Sequence, residues 1–197
     1  WDLFGKATGM PVCDLLGGRI DGPVPLISSI PTDKPAEMRT LVANHRLQGF
    51  SGHSIKIGAS TAEGGPLLDA ERIKACLSER QPGDWFLVDA NGGMTVEQVL
   101  RLLNLLPEEL DFVLEAPCRT WRETASLRQR CSVPILWDEL IQEESDVLSL
   151  IAQDAGDGVG IKISKQGGLT RSRRIRDMCA AAGLVTSVQE TVGSTIA

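Results

Sequence analysis

Short apolar runs alternate with longer stretches of helical period along almost the whole chain. The apolar runs at 24–30, 53–58, 85–89, 112–115, 135–138, 159–163 and 184–189 predict seven strands. Between them, Met38, Leu41, Val42 and His45 recur at i, i+3, i+4 and i+7, as one buried face of a helix requires. Val96, Val99, Leu100 and Leu103 do the same after Thr95, and Gln98 completes a capping box with that threonine. Further helices are predicted over 69–80 and 120–130, after a cap at Ser145, and from Thr170 with a stripe of Ile175, Met178, Cys179 and Ala182. Residues 1–16 read as one helix stopped by Gly17-Gly18.

Strict alternation of strand and helix predicts an α/β fold, a parallel sheet with right-handed crossovers. Seven such strands point to an eight-stranded TIM-type barrel whose last strand lies outside the chain; an open doubly wound sheet is the competing fold. The chain opens at Trp1 inside a helical pattern and stops at Ala197 as another begins, so we read it as part of a longer protein.

Five of the apolar runs end in one ionisable residue: Lys56, Asp89, Glu115, Asp138 and Lys162, spaced 23 to 33 residues apart. A barrel places its chemistry at the C-terminal tips of its strands, whereas an open sheet binds at one switch point and needs no charges on five consecutive tips. Taken singly, each such residue is more often a solvated turn residue, and Asp89-Ala90-Asn91-Gly92 has turn chemistry of its own. Five in register, with a lysine on either side of three carboxylates, are far harder to dismiss.

The net charge of −6 argues against nucleic acid and anionic membrane surfaces as partners. Five scattered cysteines without a CxxC pair predict free thiols and a cytoplasmic setting rather than a zinc site or disulfides. His45 and His53 are expected to be packed, Lys165 to be a loop or ligand-contacting residue, and the arginines between 171 and 176 to form a solvated face or an interface.

On neighbouring barrel strands, Asp89, Glu115 and Asp138 would converge at one rim. Three close carboxylates repel one another unless a cation joins them, and oxygen donors alone select a hard ion, Mg²⁺ before Zn²⁺. Lys56 and Lys162, four strands apart, would flank that site, each with a pKa lowered by the cation and by desolvation. One lysine could remove the α-proton of a carboxylate substrate to give an enolate neutralised by the metal. The other could return a proton or protonate a leaving group. Epimerisation and anti elimination fit equally at this point.

At these positions the chain resembles the enolase superfamily, muconate-lactonizing subgroup. The segments that carry the resemblance are WDLFGKATGMPVCDLLGG, HSIKIG, VDANGG, LEAP, WDE and KISKQGGLT. The resemblance implies a (β/α)7β barrel, truncated here. Residues 1–22 would be the end of an N-terminal capping domain with its linker helix, and 23–197 the incomplete barrel. It implies Asp89, Glu115 and Asp138 as Mg²⁺ ligands, with Mn²⁺ as a substitute, and Lys56 and Lys162 as the acid/base pair. Ser54, Asn91, Gln189, Glu190 and Thr191 are the expected substrate contacts. The partners implied are a small carboxylate substrate and further copies of the chain in a homo-oligomer. One departure stands out: the first lysine of the family's KxK motif is Ser54. The combination of HSIKIG, LEAPCRTWRE, KISKQGGLTR and SVQETVGS is most similar to the cis-3-hydroxy-L-proline dehydratases of the subgroup, with 2-epimerisation as a side reaction. Racemases or dipeptide epimerases, muconate-type cycloisomerases and a metal-binding barrel without turnover are the alternatives.

Overall fold

The computed structural model describes residues 1–190. Two short helices, α1 (Asp2–Thr8) and α2 (Val12–Leu15), precede β1 (Ile27–Ile30). Then follow α3 (Pro35–Leu47), β2 (Gly52–Lys56), α4 (Gly65–Leu77), β3 (Trp85–Asp89), α5 (Val96–Asn104), β4 (Val113–Glu115) and α6 (Trp121–Arg128). The chain continues through β5 (Ile135–Trp137), α7 (Glu144–Gln153), β6 (Gly158–Lys162), α8 (Leu169–Ala182) and β7 (Val185–Gln189). All pairings are parallel and the strand order is β1-β2-β3-β4-β5-β6-β7, so each helix crosses to the adjacent strand. The sheet curls into a barrel wall: β1 and β7, its two edges, both line one cavity with the strands between them.

Alternation along each strand decides which side a residue faces. Phe86 and Val88 on β3, Ile135 and Trp137 on β5, and Val159 and Ile161 on β6 point outward into a core shared with the helices. That core takes Met38 and Val42 from α3, Ile73 and Cys76 from α4, Val99 and Leu102 from α5, and Ile175 and Cys179 from α8. The opposite set, including Trp85, Leu87 and Asp89 of β3, lines the concave face. The strand tips that carry charge therefore look into the cavity, while the apolar residues beside them anchor the wall.

Several local expectations are corrected. The helix expected over 1–16 is two helices, because Gly9 takes a left-handed C-cap at φ 68° and Pro11 follows as the N-cap of α2. The first strand is shorter than 24–30, as Pro25 cannot donate to a ladder and pairing begins at Ile27. At α7 the cap is Glu143 in a capping box with Asp146, and Ser145 only donates to Glu143. Helix α8 is capped by Gly168 and begins at Leu169, one residue before Thr170. Its buried positions are Ser172, Ile175 and Cys179, while Ala182 is exposed at its end. The capping box at Thr95 and Gln98 forms as expected.

The arginines of α8 make intramolecular contacts. Arg173 and Arg176 donate to the carbonyls of Leu15 and Leu16 at the end of α2, and Arg171 and Arg174 approach Glu144 of α7. Trp1 Nε1 also donates to Thr170 Oγ1 at 2.9 Å, so the N-terminal segment lies along α8. Among the described residues no helix is long and apolar enough to cross a membrane.

Gly156, in the turn into β6, tests how tightly the outer core is packed. A Cβ there would sit 2.5 Å from the buried Trp137 indole, whose Nε1 donates to the neighbouring Ala155 carbonyl at 2.9 Å. Gly156→Ala is expected to cost about 1–3 kcal/mol through overpacking. The urea midpoint should fall with an unchanged m value. An unchanged midpoint would show that the indole moves aside freely.

Candidate active site

Register brings the charged tips to one level. Lys56 is opposite Asp89 across the β2–β3 pair, Asp89 is opposite Glu115 across β3–β4, and Lys162 is opposite Gln189 across β6–β7. Asp138 is the first residue past β5 and lies beside Gly160 of β6, where a Cβ would be in ordinary contact at 3.4 Å from its Oδ1. All five ionisable tips face a cavity of about 1400 Å³, together with Ser54, Asn91, Glu139, Lys165, Gln189 and Glu190.

The carboxylates are deeply placed, with Asp89, Glu115 and Asp138 each at most 2% exposed. Lys56 Nζ donates to Asp89 Oδ2 and Lys162 Nζ to Asp138 Oδ2. The other Asp89 oxygen accepts the Asn91 amide at 2.8 Å, so the turn chemistry legible in DANG is also present. Asn91 itself adopts φ 45° and its Nδ2 donates to Glu139 Oε1 at 3.0 Å. Ala116, directly after Glu115, is at φ 41°, a left-handed conformation that a non-glycine residue rarely takes and that concentrates at functional sites.

Gln189 reaches from β7 to β4, where its Nε2 donates to Glu115 Oε1 at 2.6 Å. Even so, Glu115 is pushed up to about 8, first by burial, then by Asp89 and Asp138; the Gln189 bond and Lys56 only partly counter this. Lys162 departs from expectation. Burial works against its charge, but the hydrogen bond and attraction from Asp138, with Glu139 and Glu115, hold its pKa above the ordinary value rather than below it. The reason is that the Asp138 carboxylate lies against the Lys162 ammonium and favours its charged form, whereas the expected lowering assumed a bound cation.

The donor set fits a hard divalent cation. Three carboxylates share the cavity wall with no imidazole or thiol among its lining residues, and Asp138 Oδ1 is buried without a hydrogen-bond partner. Among the described residues no three His, Cys, Asp or Glu side chains form a ready coordination cluster. Two of the three carboxylates turn to the lysines instead.

Of the expected substrate contacts, Ser54, Asn91, Gln189 and Glu190 line the cavity, although Gln189 is engaged by Glu115 and Glu190 accepts from Ser164 Oγ. Thr191 lies outside the described residues. His53 is buried on the outer face, its Nδ1 2.8 Å from Ser28 Oγ, and burial lowers its pKa. His45 packs against Phe50 with the rings tilted at 48° and their centroids 5.7 Å apart. Lys165 enters the site: its Nζ donates to the Asp138 carbonyl at 3.2 Å and stands 3.7 Å from Oδ1. Glu139 lines the cavity and Ser164 reaches Glu190 at its edge. Both lie within the WDE and KISKQGGLT segments, and alternation from Lys162 puts Ser164 on the inward face, but neither was expected as a site residue.

A carboxyl whose folded pKa stands above its unfolded value binds more protons in the folded state between the two. In EDTA, stability is therefore expected to fall as pH rises from about 4.5 to about 8. The contribution from Glu115 has a slope of at most about 1.4 kcal/mol per pH unit. Glu115→Gln should flatten it, as urea titrations across that range would show; an unchanged slope would place the titration elsewhere.

Comparison with known proteins accords with this geometry. Residues 37–197 match the family described as enolase C-terminal domain-like. The cis-3-hydroxy-L-proline dehydratase of Roseibium aggregatum is 35% identical over 196 residues, covering 100% of this chain and 52% of that protein. The D-Ala-D/L-Ala epimerase of Cytophaga hutchinsonii is 28% identical over 190 residues, covering 95% of this chain and 50% of its own. A solved structure from Roseovarius nubinhibens ISM, assigned to the mandelate racemase/muconate lactonizing enzymes and complexed with magnesium, aligns with a TM-score of 0.98 at 63% identity, over 100% of this chain and 54% of that one. The chain thus spans about half the length of the relatives it matches. On the match over 37–197 and the shared barrel wall, it belongs to the enolase C-terminal domain-like family, among the mandelate racemase/muconate lactonizing proteins of the enolase superfamily.

Proposed function

We propose that this chain supplies the acid/base half of a Mg²⁺-dependent lyase that dehydrates cis-3-hydroxy-L-proline to Δ1-pyrroline-2-carboxylate. The observation that carries the reading is the pair of lysines, four strands apart, each held against a carboxylate at one rim of one cavity. Asp89, Glu115 and Asp138 would hold the cation, with Mn²⁺ as a substitute. When bound, it would supply positive charge beside the substrate carboxylate as the α-carbon gains electron density. It would also relieve the repulsion that raises Glu115 and draw Asp89 and Asp138 away from Lys56 and Lys162.

Released from its carboxylate, a lysine can shed its proton and serve as a base. In cis-3-hydroxyproline the α-hydrogen and the hydroxyl lie on opposite ring faces. One lysine would take the proton from C2 while the other protonates the hydroxyl leaving C3. The C2–H electrons form a C2=C3 bond, the C3–O bond breaks, water departs, and the enamine tautomerises to the cyclic imine acid. Reprotonation of C2 before the hydroxyl leaves would give 2-epimerisation as a side reaction.

Similarity to the Roseibium dehydratase over the entire chain supports the substrate assignment. The sequence SIK in place of KxK supports it too, because Ser54 leaves a neutral hydroxyl on the wall two residues before Lys56. A working enzyme would also need whatever closes the cavity above the strand tips. We assign residues 1–22 to the linker from such a domain and 23–197 to the barrel. A homo-oligomer and a cytoplasmic setting complete the proposal.

The test follows the α-proton of cis-3-hydroxy-L-proline by NMR in D2O, using the complete polypeptide with Mg²⁺ and an EDTA control. Metal-dependent exchange with conversion to the cyclic imine acid is expected, and Lys56→Ala or Lys162→Ala should each lower conversion by about 100-fold or more. Exchange on another amino-acid derivative without elimination would move the function to the epimerase reading, which the Cytophaga relative favours. No exchange with any acid would leave a barrel that binds metal without turnover.

A further inference from the structure

Lys56 is the last residue of β2, and the chain leaves it through Ile57 and Gly58, the latter at φ 115°. A side chain outside the cavity fixes this exit. Asp69 of α4 is 0% exposed, and its Oδ2 accepts the backbone amides of Gly58 at 3.0 Å and Ala59 at 2.9 Å. Its Oδ1 accepts Arg72 Nη1 at 2.9 Å, and Arg72 Nε donates to the Asp33 carbonyl, also at 2.9 Å. One buried ion pair on α4 thus ties together the turns that follow β1 and β2.

A buried ion pair is a weak source of net stability, because the desolvation of both charges offsets their attraction. Fully hydrogen-bonded, it supplies fixed geometry instead. The geometry fixed here is that of the second and third residues after Lys56. The rest of the loop orders itself, with Ser60 and Glu63 closing a capping box around the short turn Thr61–Glu63. Asp69 is therefore the point at which the loop is fastened to the scaffold.

We propose that Asp69, braced by Arg72, is a positioning residue for Lys56, acting through the amides of Gly58 and Ala59 to hold the ammonium at its place in the cavity. Its catalytic consequence rests on the acid/base role proposed above for Lys56; its positioning does not.

Two measurements on the complete polypeptide separate these. In the first, lysines are acetylated competitively and read out by peptide mass spectrometry. Asp69→Ala is expected to change the labelling rate of Lys56 several-fold and leave Lys162 unchanged. Equal change at both, or none at Lys56, overturns the proposal whatever the reaction proves to be. In the second, α-proton exchange in D2O is followed on both enantiomers of the substrate. Asp69→Ala should slow exchange on the face lost in Lys56→Ala by about 10- to 100-fold, as a displaced reacting group does, and spare the face lost in Lys162→Ala. Equal slowing on both faces would show a general structural defect and overturn the proposal. If Lys56→Ala spares both faces, the acid/base reading fails and the labelling result alone decides on Asp69. Should Asp69→Ala not melt cooperatively, Asp69→Asn replaces it. That variant keeps an oxygen for the two amides, loses the charge facing Arg72, and should shift Lys56 labelling in the same direction to a smaller extent.

Discussion

Like charge crowded together in buried positions is the constraint on which the rest of this structure turns. Asp89, Glu115 and Asp138 are almost wholly buried, on strands that hydrogen bonding holds side by side. Carboxylates in that position repel one another, and burial weakens the screening that would relieve the repulsion. The chain answers with the cations at hand: Lys56 turns to Asp89, and Lys162 and Lys165 turn to Asp138. Glu115, between them, accepts a hydrogen bond from the neutral Gln189 amide and holds its proton to higher pH. Under the proposed function, a further positive charge held by these carboxylates would free the lysines for chemistry.

Such a rim can exist because the stability of the wall comes from elsewhere. The outward residues of each strand join the helices in an apolar core, which admits charge in the buried Asp69–Arg72 pair of α4. Glycines stand at 158 and 160 on β6. A Cβ at 158 would meet the Val185 carbonyl at 2.9 Å, and one at 160 would only touch Asp138 at 3.4 Å. Apolar packing against the helices holds the convex side, while the concave side carries its charged groups at the strand tips beside apolar residues such as Trp85 and Leu87.

Much of this was legible in the chain. The seven strands, their order and the five charged tips follow from period-2 runs separated by helical stretches, a local pattern that packing did not override. Boundaries were less secure where backbone chemistry decides them. Gly9 and Pro11 divide a helix that its apolar spacing joins, and Glu143 caps α7 where Ser145 was the more familiar choice. Asp89 shows why a residue can satisfy two readings: one oxygen closes a turn on Asn91 while the other faces Lys56.

What the sequence determined by itself was the sign and spacing of the ionisable groups and the face each strand presents, because alternation along a strand is a local property. Only tertiary structure decided which of them meet. The bond from Gln189 to Glu115 exists because the sheet curls until β7 comes within reach of β4. Lys165 joins Asp138 because the loop after β6 bends back over the rim, and Asp69 fastens the exit of β2 because α4 packs behind it. Contacts between residues 11 to 74 positions apart depend on curvature and helix placement, which the whole core sets and no local pattern encodes.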